Sequence, residues 1–232
     1  MKKLVMTFLV GSTVWLQAHA QTALTTPQQV FDNYVTAIGG KEALAKVNDL
    51  TMTMSADMGG NAILMTRKQK LPNKFSMVVN AMGMEVMKQT SDGSKVQVNN
   101  IQTGSQMLEG PDAQLMIAAS TLFHEMHATE TGLKSELVGT EKVNGKDAYK
   151  ITNTLGEASW TDFYDVASGL KVQAIVKTPQ GSQTSVLSDY KAVDGVKFPF
   201  TVSTQTPRGP MTMTVDDVKM NKGLKDSDFT VK

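Results

Sequence analysis

From position 50 onward the hydropathy of the chain repeats every two residues, and that period decides most of what it can fold into. In Thr51-Met52-Thr53-Met54-Ser55-Ala56-Asp57-Met58 every even position is apolar and every odd one polar. This is the signature of a strand with one dry face and one wet face. Gly59-Gly60 supplies the positive φ that a two-residue hairpin loop demands, and residues 61–70 return as the partner strand. Pairing across that turn sets Met58 opposite Asn61, Met54 opposite Met65 and Met52 opposite Arg67. A slip of one residue would bury three hydroxyls and the Asp57 carboxylate, so the register is pinned. Met52, Met54, Met58, Ile63 and Met65 therefore share the dry face. Arg67 points the same way and needs partners there, such as lid carbonyls or a ligand head group.

The same grammar continues to the C-terminus. Asp92-Gly93, Asn144-Gly145, Ser168-Gly169 and Asp194-Gly195 each separate β-rich runs, and counting those runs gives about 11–12 strands in a meander. Helix is confined to two places. Thr26-Pro27-Gln28-Gln29 has the form of a capping box with proline at N1, and Val30, Phe31, Tyr34, Val35 and Ile38 follow at helical spacing before Gly39-Gly40. Residues 41–47 form a second short helix. Gly110-Pro111-Asp112 then opens residues 113–123, which are apolar almost all round, with Leu115, Met116, Ile117, Leu122 and Phe123. This segment reads as a helix lodged on the apolar face of the sheet.

The N-terminus has its own signature. Met1-Lys2-Lys3, an apolar run over residues 4–16 and Ala18-His19-Ala20 make a secretory signal peptide, residues 1–20, with Gln21 as the new first residue. The apolar run falls short of the ~20 residues a membrane span needs. With Lys2 and Lys3 removed, 21 basic residues remain against 22 acidic ones, a net charge of −1. That balance argues against a nucleic-acid partner and against firm adsorption to anionic lipid. Zero cysteines exclude disulfides, thiolate chemistry and a lipid-modified N-terminal anchor. Residues 21–232 read as a single soluble domain in the periplasm, without a stable membrane anchor.

Candidate chemistry is sparse. His124-Glu125-Met126-His127 places its histidines at i and i+3, whereas the zinc-protease motif needs i and i+4. Glu130 is a nearby carboxylate, but no third His or Cys follows in the mature chain, so the pair reads as polar residues closing a short helix, with no metal and no cofactor. Asp162 and Asp165, beside Trp160, Phe163 and Tyr164, read as a charged outer face of a strand, since a catalytic carboxylate pair requires burial. No nucleophile elbow and no phosphate loop occurs, and no catalytic residue is assigned. The 16 methionines are the anomaly. Met52, Met54, Met58, Met65, Met77, Met211 and Met213 stand on dry faces, either filling an irregular core or lining a cavity that adapts to variable apolar ligands.

Two motifs carry a family resemblance. Leu71-Pro72-Asn73-Lys74-Phe75, followed by Ser91-Asp92-Gly93-Ser94-Lys95-Val96, resembles the Arg-Pro-Asn-x-Phe and Ser-Asp-Gly-Lys-x pair of the LolA/LolB-type periplasmic lipoprotein carriers. Val143-Asn144-Gly145-Lys146-Asp147-Ala148-Tyr149, Tyr164-Asp165 with Gly169-Leu170-Lys171, and Asp189-Tyr190-Lys191 with Asp194-Gly195-Val196-Lys197-Phe198-Pro199 look like outer-membrane lipoprotein-sorting domains. The likeness runs from about residue 27 onward. It implies a mainly β fold: an incomplete antiparallel barrel with N-terminal helices and a mid-chain lid helix over an apolar cavity for lipid or lipoprotein acyl chains. On that reading Met52, Met54, Met58, Ile63, Met65, Met77, Leu115, Met116, Leu122 and Phe123 line the cavity. The carriers' arginine before Pro-Asn is Leu71 here, and their aromatics after Asp-Gly-Lys are Val96 and Val98. Arg67 is expected to take over part of the lid-holding role. The alternative expectation is an interaction module for a periplasmic peptidase or another envelope complex.

Overall fold

The computed structural model describes residues 23–128, 132–178, 181–206 and 209–232. The expected signal peptide, the new terminus at Gln21 and the carboxylate of Glu130 lie outside these residues. Helix α1 (Pro27–Ala37) starts with the capping box: Thr26 Oγ1 accepts from the Gln29 N–H at 3.3 Å, and the Gln29 side chain accepts from the Thr26 N–H at 3.2 Å. Helix α2 (Lys41–Leu44) is shorter than the sequence suggests.

Six strands follow as a meander: β1 (Asp49–Met58), β2 (Asn61–Lys70), β3 (Lys74–Ala81), β4 (Met84–Ser91), β5 (Val96–Asn100) and β6 (Gly104–Leu108). Helix α3 (Gly110–Ser120) and a 3-10 turn (His124–Met126) cross to the second half. That half holds β7 (Lys134–Val143), β8 (Lys146–Leu155), β9 (Ala158–Asp165), β10 (Lys171–Thr178), β11 (Gly181–Val193), β12 (Val196–Thr206) and β13 (Gly209–Met220). The 13 strands form one antiparallel sheet, one strand more than the upper count from sequence. Its order runs β6 to β1, then β13 down to β7, so the seam between the halves is the β1–β13 pair. The sheet is not closed into a barrel; β6 and β7 are its edges.

The register of the first hairpin is the one the alternation demands, with Met58 opposite Asn61, Met54 opposite Met65 and Met52 opposite Arg67. Gly59 and Gly60 turn at φ 65° and 84°. The two family motifs pack on each other, since Asn73 Nδ2 donates to the Gly93 carbonyl at 3.0 Å. Gly93 sits at φ 101°, where a Cβ would collide with the Asn73 side chain, so glycine is required twice over.

The main core lies along the seam. Leu50, Met54, Val215, Val218 and Met220 pack with Val35, Ile38 and Leu44 of the first two helices and with Leu122 after α3. Each such side chain contributes roughly 1.5–3 kcal/mol by leaving water. A second cluster joins Val30 and Phe31 of α1 to Tyr149, Ile151 and Tyr164 of the second half. A third sets Ala113 of α3 on Phe75 and Val96.

Candidate functional site

The mid-chain segment is a strap rather than one continuous helix. The expected helix over residues 113–123 ends at Ser120, Thr121 is extended, and Phe123 adopts a left-handed φ of 48°. Its two parts cover different surfaces. Helix α3 bridges the two halves of the sheet: it meets β3 and β5, where Met116 and Ile117 join the Phe75–Val96 cluster, and also β8 and β9. Leu122, Phe123 and Met126 instead reach the seam core, where Met52, Met54 and Met65 sit. Of the ten cavity residues expected from sequence, the structure thus brings together Met52, Met54, Met65, Leu122 and Phe123, with Met116 in a separate cluster. Met58, Ile63, Met77 and Leu115 are half-buried and belong to neither cluster. Around Met54 the apolar face is a packed core, not an open cavity, because α1, α2 and the strap together fill it.

Arg67 is half-buried on the inner face, and burial lowers its pKa from the usual arginine value. Its Nη2 donates to the Ala119 carbonyl at 3.5 Å, and the neighbouring Gln69 Nε2 donates to the Ser120 carbonyl. These carbonyls end α3, where the helix has no further N–H to offer them. Both donors stand on β2, so the end of α3 is tied to the sheet there.

Beneath α3 lies a cavity of about 620 Å³. Ile117 and Ala118 of α3 form its roof, and Leu133, Leu155 and Trp160 form its apolar wall on the second half of the sheet. The turns around Asn73 and Ser94 bound it on the first half. Its size falls in the range of about 300–1,000 Å³ typical of sites for one small ligand.

A buried ionic cluster backs the deep wall, and sequence reasoning placed it wrongly. Asp162 is 1% exposed and Glu125 4%, so the stretch read as a charged outer face is interior. Lys171 Nζ lies 2.5 Å from Glu125 Oε1 and 3.5 Å from Asp162 Oδ1. Asp162 Oδ2 also accepts from Asn153 Nδ2 and Trp160 Nε1, each at 2.9 Å, and Tyr164 donates to Glu125 at 3.0 Å. Burial is the largest influence on the Asp162 carboxyl and would raise it, but Lys171, His124 and the Trp160 N–H together outweigh it and hold the pKa at about 2. Glu125 is lowered against its own burial by His124 and Lys171. Burial lowers Lys171, yet the two carboxylates overcome it and leave its pKa raised. Asp165 has a separate task, accepting from the Ser168 N–H at 2.7 Å and its hydroxyl at 2.6 Å to close the turn into β10.

His124 stands between cluster and cavity. Its Nε2 lies 3.5 Å from Asp162 and 3.6 Å from Glu125, edge-on to Trp160 at 5.8 Å, and the side chain lines the cavity. The space a cation would take between those carboxylates is occupied by the Lys171 ammonium. Among the described residues no group of three His, Cys, Asp or Glu side chains is arranged to hold a metal ion.

No family model matches the chain, and no curated protein sequence does. Its fold is similar to that of a LolA superfamily protein from Nitrosomonas europaea, at 13% identity and TM-score 0.59, over 90% of this chain and 99% of that one. A DUF1329 family protein from Desulfovibrio piger matches at 14% identity and TM-score 0.53, over 89% and 98%. An outer membrane lipoprotein-sorting protein domain from Vibrio parahaemolyticus matches at 12% identity and TM-score 0.53, over 87% and 95%. Likenesses at such identities show the fold.

Proposed function

We propose that this chain, which has a LolA-like fold, is an exported periplasmic binder or carrier of lipid or lipoprotein acyl chains. The observation that carries the reading is the apolar cavity of about 620 Å³ beneath α3. Burial of one chain there supplies roughly 0.8 kcal/mol per methylene, so binding needs no bond made or broken. Release then requires the strap to move, and the Arg67 and Gln69 contacts to its carbonyls are the fastening we assign to that step. Export rests on the basic, apolar and Ala18-His19-Ala20 pattern of residues 1–20. No helix among the described residues is long and apolar enough to cross a membrane.

Native mass spectrometry of protein purified from its own periplasm tests the reading. We expect a population heavier than the chain from Gln21 by the mass of an acyl lipid, which organic extraction removes. Bare protein from every preparation, together with no uptake of an added acyl lipid, would refute it. One observation favours the interaction-module alternative: Met82 and Met84 are exposed at the β3–β4 turn, where an apolar partner segment has room to dock. Stoichiometric recovery of a second envelope protein with lipid-free chain would put that reading first.

A further inference from the structure

The cavity beneath α3 is bounded by residues that hydrogen-bond but bear no fixed charge. Ser94 and Gln114 are exposed and form its open side, while Trp160 and His124 form its deep side. The lysine next in sequence to that open side, Lys95, is held by Glu109 at 2.6 Å, and Asp92 anchors the same turn through the Ser94 N–H and hydroxyl. Behind the deep wall, Glu125 and Asp162 bring two negative charges against the single positive charge of Lys171. With the His124 imidazole neutral this wall carries one net negative charge; with it protonated, none. In neither state does it offer a surplus positive charge to a ligand.

We infer that the cavity selects acyl ligands with an uncharged, hydrogen-bonding head group, such as acylglycerols or N-acyl amides, over fatty-acid carboxylates and lipid phosphates. This rests on the acyl-binding reading above and names its ligand class. An ionised head drawn in with its chain would lose water and gain no cation, which is strongly unfavourable. With His124 neutral, the net negative charge behind the deep wall adds repulsion, strengthened by the low dielectric around buried groups. A hydroxyl, ester or amide suffers neither penalty; the Gln114 amide can donate to any of them, and the Ser94 oxygen, whose proton goes to Asp92, can accept from a hydroxyl or amide N–H.

Competition for an uncharged fluorescent probe, N-phenyl-1-naphthylamine, tests this on delipidated full-length mature protein. At about pH 8 a free fatty acid is ionised, and monoolein and oleate share one acyl chain. We expect monoolein to displace the probe at a concentration about tenfold or more below oleate, and lysophosphatidylglycerol to compete as poorly as oleate. Ser94→Lys, at an exposed position, introduces a cation at the open side and should narrow the gap to about threefold or less, with the thermal midpoint unchanged. Oleate matching or outperforming monoolein on the parent protein overturns the selectivity. Absence of probe binding together with absence of any lipid uptake overturns the acyl-binding reading itself.

Discussion

Met54 and Lys171 show two ways in which single side chains hold this protein together. Met54 is 7% exposed in the seam core, where neighbours from β2, β13 and the strap leave it no slack. Met54→Ala should therefore lower stability by about 2–5 kcal/mol in urea unfolding, while probe binding beneath α3 stays intact. Lys171 works by charge. Lys171→Met strips two buried carboxylates of their cation and should lower stability by about 3–5 kcal/mol. The Asp162 carboxyl has its pKa depressed from 3.8 to about 2. Its contribution is therefore complete above the unfolded value and is lost as pH falls through the window from 3.8 to about 2. Glu125, also depressed, adds to the loss in the same direction. Thermal midpoints measured between about pH 5 and pH 2 should fall more steeply for the parent than for Asp162→Asn. Equal slopes would show that the cluster is not what the acid limb reports.

At the scale of elements, the strap is fastened unequally. The end of α3 is tied by hydrogen bonds to neutral carbonyls, from Arg67 at 3.5 Å and from Gln69, whereas Glu125 beyond it is held by a buried ion pair with Lys171 at 2.5 Å and by Tyr164 at 3.0 Å. Phe123, at φ 48°, lies between the two and carries backbone strain. Arg67→Met should therefore raise amide exchange across α3 and leave residues 124–128 protected, as read by hydrogen exchange with mass spectrometry. Uniform exchange across both parts would contradict unequal fastening. The elements themselves were largely legible in the chain. The Thr26 capping box, the alternation around Met54 and the Gly-containing turns are local chemistry, and each is found where the residues called for it. The ionic cluster was not legible. Glu125, Asp162 and Lys171 come from three separate elements, and alternation along β9 cannot tell that both of its faces are covered. Nor does the apolar run after Pro111 reveal that its helix ends at Ser120, because the left-handed turn at Phe123 is imposed by the packing of Leu122 and Phe123 on the seam.

Across the whole molecule the polar and apolar surfaces are unevenly placed. Met82 is 68% exposed at the β3–β4 turn and adopts φ 51°, a position that Asn144 and Asp194 fill in the corresponding turns of the second half. Asparagine and aspartate tolerate that backbone far better, so the exposed methionine leaves this turn less stable than either of them would. The seam has a different consequence. Its two strands, β1 and β13, are adjacent in space, and Asp49 at the head of β1 accepts from the Gly223 N–H, 174 positions away. A chain threaded from its N-terminus thus presents β1 with one side unpaired until its last strand arrives. The six-stranded half cannot be sealed early, and its methionines stay open to a chaperone, or to another copy, for the whole of that interval. Closing so long a loop is entropically unfavourable and slow, and a chain lacking residues 209–232 should fail to reach the native state at all, with no cooperative unfolding transition. A cooperative transition in that truncated chain would show that the seam is not the last thing to form.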